Sequence, residues 1–104
     1  MTSKRFIEYI LHKNGNCRQC IKAIEEMAEL THVLSRYTFD GEFDRENLGE
    51  ELADVILMCR ELAEAFDVSD LEIEQRIQGK VDRYFKEDGA HARKNESLEH
   101  TAEG

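Results

Sequence analysis

Proline is absent from all 104 residues of this chain, and that absence constrains the fold more than any other single feature. Proline interrupts a helix because its ring fixes φ and removes a backbone N–H donor, whereas Glu, Leu, Ala and Lys favour helices. Apolar residues recur every three or four positions as far as Phe85, which is the helical period. The sequence therefore predicts an all-α fold with about four helices. A domain this small gains a larger core by oligomerisation.

Turn residues separate the first two predicted helices. The first covers about residues 3–13 and ends at Asn14-Gly15, because glycine and asparagine favour helix C-termini. The second begins after Asn16 and runs to about residue 37, with Gln19 three residues past the cap in an arrangement like a capping box.

The later helices have their own start signals. Asp44 is a suitable N-cap for a third helix that runs to about residue 66. Ser69 and Glu72 form a capping box before a fourth helix that runs to about residue 87. We assign residues 1–89 to one helical domain and residues 90–104, which are polar and contain a single large aliphatic residue, to a flexible tail.

Composition excludes several classes of protein. The net charge of −9 argues against binding a nucleic acid polymer, which needs a basic surface. There is no apolar run long enough to cross a membrane and no apolar segment of a signal peptide near Met1, so we expect a cytoplasmic protein with no membrane partner. Cys17-x-x-Cys20 permits zinc or redox chemistry, but no second Cys/His pair has a matching spacing, so ordinary helix packing is the preferred interpretation.

The second and third helices each carry an apolar stripe with acids beside or opposite it. We expect the core stripe of the second helix to contain Ile21, Ile24, Ala28, Thr31 and Leu34. In the third helix we expect an apolar seam of Leu48, Leu52, Val55, Ile56, Cys59, Leu62, Ala63 and Phe66. Because the second helix has apolar groups on more than one face, it should be covered on more than one face, with its acids turned inward.

Two acid pairs stand at a spacing of three residues. Glu26 and Glu29 lie on one helical face, as do Glu51 and Asp54. Four carboxylates brought together repel one another unless a proton or a cation lies between them, and Mg²⁺ or Mn²⁺ prefers such oxygen ligands. We therefore hypothesise a divalent-metal site. A similar pair, Glu61 and Glu64, is expected to lie well away from the apolar seam.

Two further groups are candidates for ligand binding. Arg76, Lys80 and Arg83 form a basic stripe on the fourth helix, which would suit phosphate groups or would simply be a solvated face with salt bridges. Phe39 and Phe43 lie in a predicted turn, where they either plug the core or stack on a planar ligand.

The acidic motifs resemble those of a known family. Glu25-Glu26-x-x-Glu29, a gap of 21 residues and Glu51-x-x-Asp54 are similar to the signature of the MazG-like, all-α nucleoside triphosphate pyrophosphohydrolases. That superfamily includes dimeric dUTPases, dCTPases and phosphoribosyl-ATP pyrophosphohydrolases. The resemblance covers about residues 16–87, and one departure is Lys80, where relatives often carry Asn.

The resemblance implies an activity and a set of roles. The family hydrolyses a nucleoside triphosphate between its α and β phosphates, and its members dimerise or form dimers of dimers. Glu25 would orient or deprotonate the attacking water, unless it is only an exposed helix acid. The implied Mg²⁺ ligands are Glu26, Glu29, Glu51 and Asp54; the implied phosphate ligands are Lys22, Arg76, Lys80 and Arg83; and the candidates for contact with the base are Phe39, Phe43 and Tyr84.

Two alternatives to this function stay open. In the first, the chain is a non-catalytic helical interaction module whose acids form a solvated face and whose second and third helices form a dimer seam. In the second, it is a phosphoribosyl-ATP pyrophosphohydrolase, which shares the acidic core and differs in its substrate.

Overall fold

The chain folds into helices throughout the part that a computed structural model describes, residues 3–94. Helix α1 covers Ser3–Ser35, a short π-helix covers Arg36–Asp40, α2 covers Arg45–Ala65 and α3 covers Asp70–Lys94. No strand occurs within residues 3–94, so the predicted all-α class is confirmed. In the same range, no helix is long and apolar enough to cross a lipid bilayer.

Helix α1 contains a break at Gly15. This residue has φ 77° and ψ 167°, which is not helical, and such a positive φ is accessible to glycine without steric cost. The break divides α1 into a first arm, residues 3–14, and a second arm, residues 16–35. It lies where the sequence places the end of the first helix. Because the chain resumes a helical conformation directly after Gly15, the described residues form three α-helices and not the predicted four.

Helices α1 and α2 form an antiparallel hairpin through the π-helix. Gly41 ends the π-helix at φ 70°, and its backbone N–H donates to the carbonyl of Arg36. Arg36 also forms an ion pair with Glu42. The carboxylate of Asp44 then accepts a hydrogen bond of 3.0 Å from the backbone N–H of Asn47, so the predicted N-cap of α2 is confirmed.

The C-terminus of α2 is closed by a Schellman-type turn. Asp67 takes the left-handed conformation with φ 61°, and the backbone N–H of Val68 donates to the carbonyl of Ala63 at 2.9 Å. Val68 is the last residue of the first of two compact units, Met1–Val68 and Ser69–Gly104.

The core of the first unit lies between α1 and α2. We call the surface where these helices meet the inner face, and its buried members in the two helices include Gln19, Ala23, Val33, Met58 and Glu61. Two of these five residues are polar, so the hairpin buries polar side chains next to small and aliphatic ones. The inner face therefore holds polar side chains in fixed positions as well as forming the apolar core.

The expected core stripe of α1 is wrong for the single chain. All five of its residues are exposed, Ile24 to 63%. In α2, Leu52, Ile56, Cys59 and Phe66 are also exposed, and the other members of the expected seam are half-buried. We call the exposed apolar side chains the outer stripes: Ile21, Ile24, Leu34, Leu52, Ile56 and Phe66. Both helices are apolar on two sides, and the hairpin uses the side that carries the acids.

The second unit, Ser69–Gly104, contains α3. The hydroxyl of Ser69 accepts a hydrogen bond of 3.1 Å from the backbone N–H of Glu72, as the predicted capping box requires. The side chain of Glu72 binds Arg76 instead of returning to Ser69. Helix α3 continues to Lys94 and so includes the first five residues assigned to the tail; residues 95–104 lie outside the described part.

Candidate metal centre

Four carboxylates meet at the middle of the inner face. Glu26 and Glu29 come from α1, and Glu51 and Asp54 come from α2. One carboxylate oxygen of each residue lies within 4.8 Å of the others. Mg²⁺ binds oxygen at about 2.0–2.1 Å, so opposite ligands of one ion lie about 4.2 Å apart. The four oxygens therefore come within a few tenths of an ångström of the span of one coordination sphere.

Two oxygens of this cluster are buried without a partner. Oε2 of Glu26 and Oε1 of Glu51 accept no hydrogen bond from any described residue. Buried polar atoms in folded proteins almost always have a partner, and an exception usually marks a missing ion, a missing water or a functional group. A hard divalent cation satisfies both oxygens at once, so this donor set fits Mg²⁺ or Mn²⁺.

The electrostatics of the cluster agree with a site for a cation. Desolvation raises the pKa of Glu26, and repulsion by Asp54 and Glu29 raises it further, while Lys22 offsets part of the effect. Desolvation likewise raises the pKa of Glu51, followed by repulsion from Glu29 and Asp54. Both carboxyls therefore hold protons more tightly than ordinary glutamates do. A divalent cation reverses the sign of this field and favours the ionised form.

Glu25 and Lys22 lie on the same helix as the first acid pair. Glu25 is exposed and does not belong to the four clustered carboxylates, in agreement with its position about 100° around the helix from Glu26. Lys22 is also exposed. Its positive charge favours the ionised forms of Glu26 and Glu61 and so offsets part of the rise in the pKa of each. Lys22 therefore interacts electrostatically with the acids, whereas Glu25 is next to Glu26 in the sequence but is not part of the cluster.

The basic stripe belongs to the second unit. Arg76 forms an ion pair of 3.0 Å with Glu72, one helical turn earlier, so the solvated salt bridge that the sequence allows is present for this residue. Lys80 and Arg83 are exposed on the same helix. The four acids lie in the first unit, and the stripe is therefore described separately from them.

The three aromatic candidates are all exposed. Phe39 lies in the π-helix and is 81% exposed, so it does not plug the core. Phe43 packs edge to face on Tyr37, with ring centroids 5.6 Å apart. Tyr84 in α3 packs in the same way on Phe85 at 5.7 Å. These contacts do not show that any of the three rings binds a nucleotide base, since Phe43 and Tyr84 pack on aromatic neighbours and Phe39 lies in solvent.

The sequence interpretation missed a buried polar pair, Gln19 and Glu61. Gln19 is fully buried, Glu61 is 6% exposed, and the amide nitrogen of Gln19 donates a hydrogen bond to Oε1 of Glu61. The predicted capping box at Asn16 and Gln19 is therefore wrong: Gln19 binds α2, and the amide of Asn16 donates to the carbonyl of Ala65 at 3.5 Å.

The position of Glu61 also differs from the expectation that it lies away from the packed surface. Glu51, Asp54, Met58 and Glu61 follow one another at spacings of three and four residues, which places them on one face of α2. That series is the signal that could have found Glu61, because Glu51 and Asp54 were already assigned to the inside. Glu64 is exposed as expected.

The cysteines contribute nothing to this cluster. Cys17 and Cys59 are exposed, Cys20 is half-buried, and all three are free thiols.

In comparisons with models of protein families, with curated proteins and with solved structures, no similar protein was found for this chain. The MazG-like resemblance stays a prediction.

Proposed function

We propose that this chain is a Mg²⁺-dependent pyrophosphohydrolase that converts a ribo- or deoxyribonucleoside triphosphate into the monophosphate and pyrophosphate. The observation that carries the proposal is the convergence of four carboxylate oxygens within 4.8 Å, two of the side chains having a buried oxygen without a partner. Structural acids at a helix interface are normally paired, whereas Oε2 of Glu26 and Oε1 of Glu51 have no partner among the described residues. The motif resemblance supplies the reaction.

The metal ligands are Glu26, Glu29, Glu51 and Asp54. A bound Mg²⁺, or Mn²⁺ in its place, supplies positive charge for the triphosphate oxygens and lowers the pKa of a bound water. The pairing of two acids from each helix holds this site across the hairpin, so ion binding also ties α1 to α2.

Other side chains have proposed roles in binding and proton transfer. Glu25 accepts the proton of the attacking water, which requires a carboxylate within hydrogen-bond reach of it. Lys22 binds a phosphate oxygen as a point charge, because its ammonium group lies near the acids without being neutralised by a close ion pair in the described part. Arg76, Lys80 and Arg83 are the remaining candidates for binding phosphate oxygens.

Self-association belongs to the same proposal. The outer stripes expose six large apolar side chains along the two helices of the hairpin, and extensive exposed apolar surface often marks an interface. We propose a homodimer or homotetramer. Sedimentation equilibrium tests it: a monomer at micromolar concentration contradicts the proposal.

The same outer stripes favour one alternative function, a non-catalytic interaction module. That alternative predicts no specific Mg²⁺ binding, because its acids would need no cation. Calorimetric titration of Mg²⁺ into the wild type and into the double variant Glu51→Gln/Asp54→Asn separates the two. Equal titrations support the module, and a binding isotherm that the variant loses supports the hydrolase.

The experiment that tests the proposed reaction is a pyrophosphate-release assay. Ribo-, deoxy- and modified triphosphates, together with phosphoribosyl-ATP, are supplied with Mg²⁺, with Mn²⁺ or with a chelator. We expect release that requires the metal, disappears in Glu51→Gln/Asp54→Asn and persists in Glu64→Gln, a matched change at an exposed acid of the same helix. If phosphoribosyl-ATP is the one substrate hydrolysed, the chain is a phosphoribosyl-ATP pyrophosphohydrolase. Full activity in the double variant rejects the assignment of Glu51 and Asp54 as metal ligands.

A further inference from the structure

A cavity of about 160 Å³ adjoins the four acids on the inner face. It lies between the first arm of α1 and the C-terminal half of α2, and Glu26 and Asp54 line its edge toward the metal centre. Its apolar wall consists of Phe6 and Ile10 from α1 with Leu57 and Met58 from α2. A pocket with an apolar wall and a few polar groups is the usual form of a small-molecule site.

Besides Glu26 and Asp54, the polar wall of this cavity contains Asn14, Lys22 and Glu61. Gln19 lies outside the lining but binds two of these side chains. It is fully buried: the amide nitrogen of Asn14 donates to its carbonyl oxygen at 3.5 Å, and its own amide nitrogen donates to Oε1 of Glu61. This chain of donors runs in one direction toward the carboxylate. Glu61 is therefore the terminal acceptor.

The acceptor role of Glu61 limits what the cavity can bind. A carboxylate offers about four lone-pair sites, and Gln19 occupies one of them, so Glu61 retains capacity for a donor in the cavity. A ligand carbonyl oxygen placed against the Glu61 carboxylate would be repelled, whereas an amino group at that point would be matched. Carboxylates recognise the exocyclic amino group of cytosine in this way.

The size of the cavity limits the ligand further. Pockets that enclose a drug-sized molecule measure about 300–1,000 Å³, and this one measures about 160 Å³. It suits one planar ring while the sugar and phosphates extend toward Glu26 and Asp54. The apolar wall would pack against the face of the ring, and the polar wall would form hydrogen bonds with the groups along its edge.

We propose that this cavity is the base subsite of the enzyme and that it selects an aminopyrimidine, the cytosine type of base, through acceptance of its exocyclic N–H by Glu61. The inference rests on the proposed function, because the triphosphate must reach the four acids. Gln19 is a positioning residue, since it touches Glu61 and not the ligand.

The first test compares dCTP with dUTP, which differ in whether an amino group or a carbonyl is presented at the same ring position. We expect a kcat/KM ratio in favour of dCTP that falls about 10- to 100-fold in Glu61→Gln, the range for losing one hydrogen bond to a charged group. The loss should appear in KM for dCTP more than in kcat. Glu64→Gln serves as the matched control and should keep the wild-type ratio, and thermal melting verifies that each variant is folded.

A second variant tests the cavity without changing a polar group. Leu57→Phe places a larger side chain against the same wall. We expect a higher KM for every nucleoside triphosphate but unchanged inhibition by inorganic pyrophosphate, which needs only the metal centre. Equal weakening of pyrophosphate and nucleotide binding contradicts a base subsite here.

Binding measurements distinguish failure of this inference from failure of the proposed reaction. Calorimetry with the α,β-methylene analogues of dCTP and dUTP needs no hydrolysis. A preference for the cytosine analogue that Glu61→Gln abolishes supports the subsite even if no triphosphate is cleaved, in which case only the hydrolase proposal fails. The same dCTP/dUTP ratio in the folded wild type and in Glu61→Gln overturns the subsite while leaving the hydrolase proposal intact.

Discussion

Buried carboxyl oxygens lie at two places on the inner face of the α1–α2 hairpin, and only one of the two has a hydrogen-bond partner. Glu51 and Glu61, which mark these places in α2, are nearly three helical turns apart. Glu61 has a dedicated partner, because the amide of Gln19 donates to it. Glu26 and Glu51 each keep a buried oxygen without one. Burial raises the pKa of all three carboxyls. The same helix pair thus contains a satisfied acid and an unsatisfied acid cluster.

This difference identifies the part of the inner face where a cation is needed. The amide of Gln19 donates a hydrogen bond to the carboxylate of Glu61, so this buried acid has a partner within the chain. Four ionised carboxylates with no facing amide cannot satisfy one another, because each of them only accepts hydrogen bonds. Without a cation, the cluster is relieved only by keeping protons, in agreement with the raised pKa of Glu26 and Glu51. The cluster is therefore the place where an external positive charge has the most to contribute.

The largest expected effect comes from changing one acid of the cluster. Glu26→Gln should reduce pyrophosphate release to background, because a neutral amide is a poor ligand for Mg²⁺. The metal-free variant should be as stable as the wild type or more stable, since one repulsive charge is gone. Activity assays and chelator-treated thermal melts check both parts. A folded Glu26→Gln protein that retains activity would falsify its assignment as a ligand.

The second expected effect is stabilisation by the metal. At a Mg²⁺ concentration about 100 times its Kd, binding should stabilise the folded state by about 2.7 kcal/mol, which corresponds to an increase in Tm of roughly 11–22 °C for a domain of this size. Differential scanning fluorimetry with and without Mg²⁺ measures it. Glu51→Gln/Asp54→Asn should show little increase, and Glu64→Gln should show the full increase. A similar increase in all three proteins would mean that Mg²⁺ acts elsewhere.

A third change turns the satisfied acid into an unsatisfied one. Gln19→Leu removes the donor to Glu61 and should lower the free energy of unfolding by about 1–3 kcal/mol, the penalty for a buried group without a partner. The double variant Gln19→Leu/Glu61→Leu should recover much of this loss, because replacing both partners by apolar groups is nearly neutral. Urea denaturation of the metal-free proteins gives both values. Additive losses in the double variant would show that the two side chains are not coupled.

The smallest expected effect is a pH dependence at Glu61. Burial raises its pKa above 4.5 in the folded protein, so the folded state binds the proton more tightly than the unfolded state does. Its stabilising contribution is then present below about pH 4.5 and is lost as the pH rises through the folded pKa. Relative to Glu61→Gln, the wild type should therefore lose stability as the pH rises above about 4.5. A difference in the free energy of unfolding that stays constant as the pH rises from there contradicts the raised pKa.

Local features of this fold follow from the sequence with little help from tertiary contacts. The break at Gly15, the caps at Asp44 and Ser69 and the helical class are all present where they were predicted. Each depends on residues within one turn of the chain, through backbone conformation and side-chain hydrogen bonds to nearby N–H groups. The spacing of the four acids belongs to the same class, because helical geometry relates positions i and i+3.

Which face of each helix is buried was decided only by tertiary structure. Periodicity gives the angles between side chains around a helix axis but does not say which side meets a neighbour, and α1 and α2 are apolar on two sides. The expected core stripe through Ile24 stayed exposed, and Gln19 and Glu61 became buried instead. Their hydrogen bond joins residues 42 positions apart, so no local pattern specifies it. Local sequence patterns thus specify the helices and the spacing of the acids. The pairing of the helices brings the four carboxylates together beside a cavity and buries one oxygen each of Glu26 and Glu51.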